Sequence, residues 1–282
     1  MKLEGKRILL TGASGGIGEA LAQELAAQGA HLLLHGRRAS ALERLRKELP
    51  HSERHQTVTA DLGSPQERAR LLQHPALEQG LDVLINSAGC NQFAWLEDQS
   101  GEQVTRQLLL NIEAPIQLTR ALLPRLRKPA VIMNIGSSLG AIGYAGYSVY
   151  CASKFALRGF SESLGRELEG TGIKVLHFAP RATRTHLNSQ AAYAMNAELG
   201  TRTDSPQDVA EEAVIALCNE TRRSWLGWPE KLFVRLNALL PALVDKALAR
   251  QLPIIERHAR HPVPLATDHG DNPACATHEK EH

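Results

Sequence analysis

The stretch Thr11-Gly12-Ala13-Ser14-Gly15-Gly16-Ile17-Gly18 directly follows an apolar run at residues 7–10 and opens a segment of helical period. A strand that delivers the chain into a glycine-rich turn and then a helix is the opening of a βαβ unit. Such units build parallel sheets, which need helices on both faces. Glycine at 12, 16 and 18 lets the chain turn tightly, lets backbone approach a bound group, and lets the helix press against the sheet. The first turn of that helix, with Ser14, Gly15 and Ile17 beside the glycines, offers unpaired N–H groups and partial positive charge to a phosphate.

The rest of the chain repeats the alternation. Short apolar runs predict strands at 7–10, 31–35, 57–60, 81–85, 130–135 and 174–178, with a seventh near Trp225. Helical periods predict helices at 16–28, 39–48, 65–73, 102–127, 150–169 and 205–218. This is the pattern of an α/β protein with a doubly wound parallel sheet of Rossmann type, in a single domain. Ligands bind beyond the carboxyl ends of the strands in such sheets. The polar segments that follow the strand runs at 7–10, 81–85, 130–135 and 174–178 therefore converge on one crevice.

Residues 1–230 form that domain, 231–257 an amphipathic helical extension, and 258–282 a disordered tail rich in His, Pro, Asp and Thr. Five tail histidines lack zinc-ligand spacing, so no metal is expected. In the extension, Leu232, Leu236, Leu239, Leu240, Leu243 and Leu248 recur near helical spacing, and Pro241 is expected to kink or divide the helix. The stripe suits packing within the protein or on a sister subunit. Contact with a membrane surface through 231–251, or a wall for a lipophilic substrate, are the lesser readings.

Lysine and arginine number 32 against 30 aspartates and glutamates, a formal charge of +2, which gives no footing for nucleic acid. The four cysteines, Cys90, Cys151, Cys218 and Cys275, are far apart in the chain, as expected in a reducing, cytoplasmic compartment. Neither a leader peptide nor a spanning apolar run is expected.

The end of the second strand run reads Gly36-Arg37-Arg38, with no acid. Dinucleotide folds that prefer NAD place a carboxylate there for the ribose hydroxyls, whereas arginine suits a 2′-phosphate. NADP(H) is the expected cofactor, with Arg37 the main determinant and Arg38 assisting. Further on, Tyr150 and Lys154 lie at i and i+4 of a helical run, on one face. An ammonium there is expected to favour the ionised phenol.

Taken together, Thr11-Gly12-x-x-x-Gly16-x-Gly18, Asp61-Leu62, Asn86-Ser87-Ala88-Gly89, Asn111, Ser137, Tyr150 and Lys154 resemble the motifs of the short-chain dehydrogenase/reductase family over residues 3–230. The resemblance implies that Asp61 and Leu62 lie near the adenine and that Asn86, Ala88 and Gly89 brace the sheet beneath the cofactor. It implies that Pro180 opens a segment whose Thr185 touches the nicotinamide carboxamide. Asn111, Ser137, Tyr150 and Lys154 would be catalytic: Tyr150 as general acid or base, Ser137 donating to the reacting oxygen, Lys154 holding the ribose, Asn111 anchoring a water.

The spacing of thirteen residues from serine to tyrosine in the family selects Ser137 over Ser138. Lysine at i+4 selects Tyr150 over Tyr144 and Tyr147. Two positions depart from the family pattern, Ser87 for a second asparagine and Arg181 for a glycine. Arg181 either alters the backbone or places a cation near the phosphates or substrate mouth.

The implied activity is reduction of a ketone or aldehyde to an alcohol, or the reverse, in a homodimer or homotetramer. A non-catalytic NADP-sensing regulator, or a sugar-nucleotide epimerase or dehydratase, are the alternatives. Residues 186–203 correspond to a variable loop over a mixed or apolar substrate pocket.

Overall fold

The computed structural model describes residues 1–260. Seven strands, β1 (Arg7–Leu10), β2 (His31–Gly36), β3 (Gln56–Thr59), β4 (Leu81–Asn86), β5 (Leu126–Ile135), β6 (Ile173–Ala179) and β7 (Arg223–Trp225), form one sheet in the order β3-β2-β1-β4-β5-β6-β7. Every pairing is parallel. The strand order reverses between β1 and β4, so the crevice above those two strands is where a ligand is expected.

The central strands are apolar without alternation because both faces are covered. Ile8 and Leu10 of β1, with Val83 and Ile85 of β4, feed one core against α1 (Gly16–Ala27), α2 (Ala39–Glu48) and α8 (Pro206–Cys218). Leu9 and Leu84 point the other way, into a core with α3 (Pro65–Leu72), α5 (Ala114–Leu122) and α6 (Ser148–Glu167). The remaining helices are α4 (Gly101–Leu108), α7 (Gln190–Glu198), α9 (Trp228–Leu239), α10 (Pro241–Ala249) and α11 (Leu252–Arg260). No helix among the described residues is long and apolar enough to cross a membrane.

Three expectations about elements are corrected. The helix expected over 102–127 is two helices, α4 and α5, joined by a π turn at Leu109–Glu113, and its last stretch belongs to β5, which begins at Leu126. Pro115 has no N–H to return to the Asn111 carbonyl four residues back, so the α pattern gives way there. Residues 186–203, read as a loop, contain α7, capped by the Ser189 hydroxyl.

The boundary drawn at 257 falls inside α11, which continues to Arg260 because Ile255 and His258 are buried and His258 Nε2 meets Glu198 at 2.7 Å. The remainder of the expected tail, 261–282, lies outside the described residues. Pro241 does divide the extension into α9 and α10.

Candidate active site

After β1 the chain turns at Gly12, whose φ of +69° puts it in the left-handed region, and a Cβ there would lie 2.8 Å from Ala88 Cα. A Cβ on Gly16 would meet Thr185 Cγ2 at 2.8 Å, so the turn and the segment after β6 close on each other only because both glycines lack one. His35 supports the turn from below: its Nδ1 accepts from Gly12 N–H at 3.4 Å and its Nε2–H donates to the Ala60 carbonyl at 3.0 Å. Burial pushes this imidazole down to about 4, which keeps it neutral.

Serines 64, 100, 189 and 205 cap α3, α4, α7 and α8, but no side chain caps α1 at Gly15. The starts of α2, α6, α9 and α10 are uncapped as well, so what sets α1 apart is where its first amides lie. They face a cavity of about 2110 Å³ bordered by Gly12, Ser14, Gly15, Gly16, Ile17, Gly18, Arg37, Arg38, Asp61, Leu62, Ala88 and Gly89. The same cavity reaches Ser137, Tyr150, Lys154, Pro180 and Thr185. An uncapped helix start, a Cβ-free cradle and two arginines past β2 fit a phosphorylated dinucleotide. Asp61 lies at the crevice's far edge. Burial works against its charge, but hydrogen bonds from Arg106 and Gly63 N–H, with the Arg106 and Arg37 charges, hold the carboxyl below its usual range.

At the other end, the Tyr150 hydroxyl is hydrogen-bonded to Ser137. Serine and tyrosine, from the end of β5 and the first turn of α6, thus present adjacent hydroxyls to the cavity. Lys154, one turn along α6, donates to the Ile135 carbonyl at 3.1 Å, and its Nζ lies 5.7 Å from the Tyr150 ring centre. Ser137, Tyr150 and Lys154 are 9 %, 8 % and 7 % exposed. That burial decides the electrostatics.

The expectation of a phenol with a depressed pKa is corrected: desolvation pushes Tyr150 up to about 12, against a smaller opposing effect of the Ser137 hydrogen bond. Lys154 is pulled down to about 8, also by desolvation. The lysine remains mostly charged at pH 7, and the phenol fully protonated. Tyr144, the competing phenol, donates to Gln251 Oε1 at 2.9 Å, and Tyr147 is hydrogen-bonded to Asn91.

Two expected site residues stand behind the cavity instead of in its wall. Asn86 is turned into the protein, its Nδ2 on Asn134 Oδ1 at 2.8 Å and Thr119 Oγ1 at 3.2 Å, where it ties β4 to β5 and α5. Asn111, on the π turn, accepts from Cys90 N–H and donates to the Cys90 carbonyl, both at 2.9 Å, and to Ser153 Oγ at 3.0 Å. Between Asn111 and Lys154 lies Gly89: a Cβ there would be 3.0 Å from Asn111 Oδ1 and 3.8 Å from Lys154 Nζ.

Arg181 borders the same cavity, held by two carboxylates. Its guanidinium grips both oxygens of Asp204, at 2.6 and 2.7 Å, and reaches Glu230 of α9 at 3.3 Å. It ties the segment after β6 to the extension. Two participants went unread in the sequence, His35 and Asn91; Tyr193, within the expected loop over the substrate pocket, donates its hydroxyl to the Thr185 carbonyl at 2.7 Å. Ser189 ahead of the alanine-rich run at 190–198 was the signal for the helix that carries Tyr193.

A family profile described as short chain dehydrogenase matches residues 6–196. Dehydrogenase/reductase SDR family member 7B of Bos taurus is 33% identical over 271 residues, spanning 90% of this chain and 83% of that protein. Among solved structures, a short chain dehydrogenase from Burkholderia cenocepacia in complex with NADP is 29% identical with a TM-score of 0.72, covering 80% of this chain and 97% of that one. A short chain dehydrogenase/reductase from Burkholderia phymatum in complex with NAD shares the fold, with a TM-score of 0.76 at 21% identity over 86% of this chain and 96% of that one.

Proposed function

The chain belongs to the short-chain dehydrogenase/reductase family, and from that premise we propose that it is an NADP(H)-dependent oxidoreductase that reduces a ketone or aldehyde to an alcohol, or runs the reverse. The observation that carries the reading is the hydrogen-bonded pair Ser137 and Tyr150, with Lys154 behind it, in one wall of the cavity that the uncapped start of α1 also faces. A reduced nicotinamide, when bound, supplies the hydride.

Everything else is done by the chain. The two hydroxyls offer a converging pair of donors to a carbonyl oxygen, and their hydrogen bonds strengthen as negative charge grows on that oxygen. Tyr150, held protonated by burial, gives up its proton to the oxygen. The phenolate left behind is stabilised by the nearby Lys154 charge and by the Ser137 hydroxyl. Asn111 fixes the loop at Cys90 against α6 through Ser153.

The preference for NADP(H) rests on Arg37 and Arg38, which border the cavity just beyond β2, a strand that ends without an acid. A guanidinium pairs with a 2′-phosphate in bidentate fashion. The test is NADPH oxidation with a panel of ketones and aldehydes. Tyr150→Phe is expected to abolish turnover while NADPH still binds, and Arg37→Asp to reverse the cofactor preference. Turnover retained by Tyr150→Phe would refute the catalytic assignment, and an unchanged cofactor ratio would refute the role of Arg37.

A further inference from the structure

The cavity of about 2110 Å³ extends beyond the glycine turn and the hydroxyls of Ser137 and Tyr150. This further part lies past Tyr150, under the C-terminal extension. Phe233 and Leu236 of α9 and Leu243 and Leu248 of α10 line it, opposite Leu139 and Ile142 from the loop after β5. Three polar ties fasten this wall. Arg181 holds Glu230 near the start of α9, Asn237 Nδ2 donates to the Ala141 carbonyl at 2.9 Å, and the Tyr144 hydroxyl donates to Gln251 just past α10.

Gly227 belongs to the first tie, since its φ is +94° and a Cβ there would lie 2.9 Å from Arg181 Nη1. The extension is therefore fixed over the catalytic loop as part of the site.

Its apolar residues are incompletely covered. Of the large apolar side chains exposed between Trp228 and Leu252 among the described residues, Phe233 and Leu243 are the two that line the cavity. They are 48 % and 54 % exposed. Apolar surface left open in a cavity wall gains free energy when an apolar ligand covers it.

We propose that the substrate is a carbonyl compound with an extended apolar body, which lies along α9 and α10 while its carbonyl meets Ser137 and Tyr150. This deepens the reductase reading and rests on it for the carbonyl, but the apolar gallery can be tested apart from turnover.

The experiment is a homologous series from butan-2-one to dodecan-2-one with NADPH. Each methylene that reaches the wall is expected to raise kcat/KM by up to about fourfold, the factor that corresponds to about 0.8 kcal/mol per buried CH₂. Phe233→Ser and Leu243→Ser, at half-exposed positions where folding is not at stake, are expected to lower the dodecan-2-one to butan-2-one ratio of kcat/KM at least tenfold.

Equal kcat/KM along the series, or a ratio untouched by both substitutions, overturns the proposal. If no ketone turns over, the reductase reading fails and the gallery is judged by calorimetric binding of the same ketones to the Tyr150→Phe protein. A Kd that tightens with chain length, and loosens for the long ketone in Phe233→Ser, supports the gallery. A Kd indifferent to length overturns it.

Discussion

Lys154→Met should make the ligand-free protein more stable at pH 7 while removing its activity. Burial lowers the lysine from 10.5 to about 8, so the unfolded chain binds this proton more tightly than the folded one. The penalty on folding is therefore absent well above pH 10.5, grows as the pH falls through the window from 10.5 to 8, and levels off below. With about 1.36 kcal/mol for each pH unit between the two states, it amounts to about 3 kcal/mol at pH 7 and about 2 kcal/mol at pH 9.

Methionine fills similar space without charge. It also abandons the Ile135 carbonyl that Nζ bonds at 3.1 Å, a loss of about 1 kcal/mol. The variant should be more stable than the wild type by about 2 kcal/mol at pH 7 and by about 1 kcal/mol at pH 9. Urea unfolding of both proteins at the two pH values measures this directly, and taking the difference removes other titrating groups. A variant less stable at pH 7, or a difference that does not shrink by pH 9, would refute the claim that desolvation governs this lysine. Turnover should fall by about 10² or more, since the phenolate loses its counter-charge.

Acid should destabilise the protein through two histidines. His35 and His177 are both lowered to about 4 by burial, so stability present above pH 6.5 is lost as the pH falls from 6.5 to 4, with a slope approaching about 2.7 kcal/mol per unit for two protons. A flat urea midpoint across that window would contradict it. Arg181→Gly restores the usual family residue but strands Asp204, which is 8 % exposed; a loss of about 3 kcal/mol in urea unfolding is expected, and Arg181→Lys should recover only part because it lacks the two-pronged fork. Gly12→Ala forces a Cβ against the Ala88 backbone at positive φ, so NADPH affinity should drop more than tenfold by calorimetry, and an unchanged Kd would show that the turn can shift.

What could be read from the chain alone was whatever depends on short-range spacing. The glycine turn, the strand runs and the i, i+4 pair Tyr150 and Lys154 were legible because each rests on local backbone geometry that the tertiary structure had only to bring together, whereas Ser137 was picked out by the serine-to-tyrosine spacing of the family the chain resembles. Where two local signals competed, the reading failed. The apolar period through 102–127 overran the π turn at Leu109–Glu113 and the start of β5, because periodicity does not register a missing amide at Pro115 or the pairing of Leu126 with Leu81.

Other facts exist only across the fold. The partners of Arg181 are 23 and 49 residues away, and nothing in the local sequence reports Asp204 or Glu230. The direction of Asn86 depends on Asn134, 48 residues on. The phenol moved opposite to what the pair alone suggests, since the sequence supplies the i, i+4 spacing but not the depth of burial, and desolvation is the largest effect on both Tyr150 and Lys154. The sequence by itself determined the α/β alternation, the glycine turn after β1 and the placing of Tyr150 and Lys154 on one face of a helix. Only the tertiary structure decided how deeply those side chains are buried and that α9 and α10 close over them, because burial and closure are set by elements far apart along the chain.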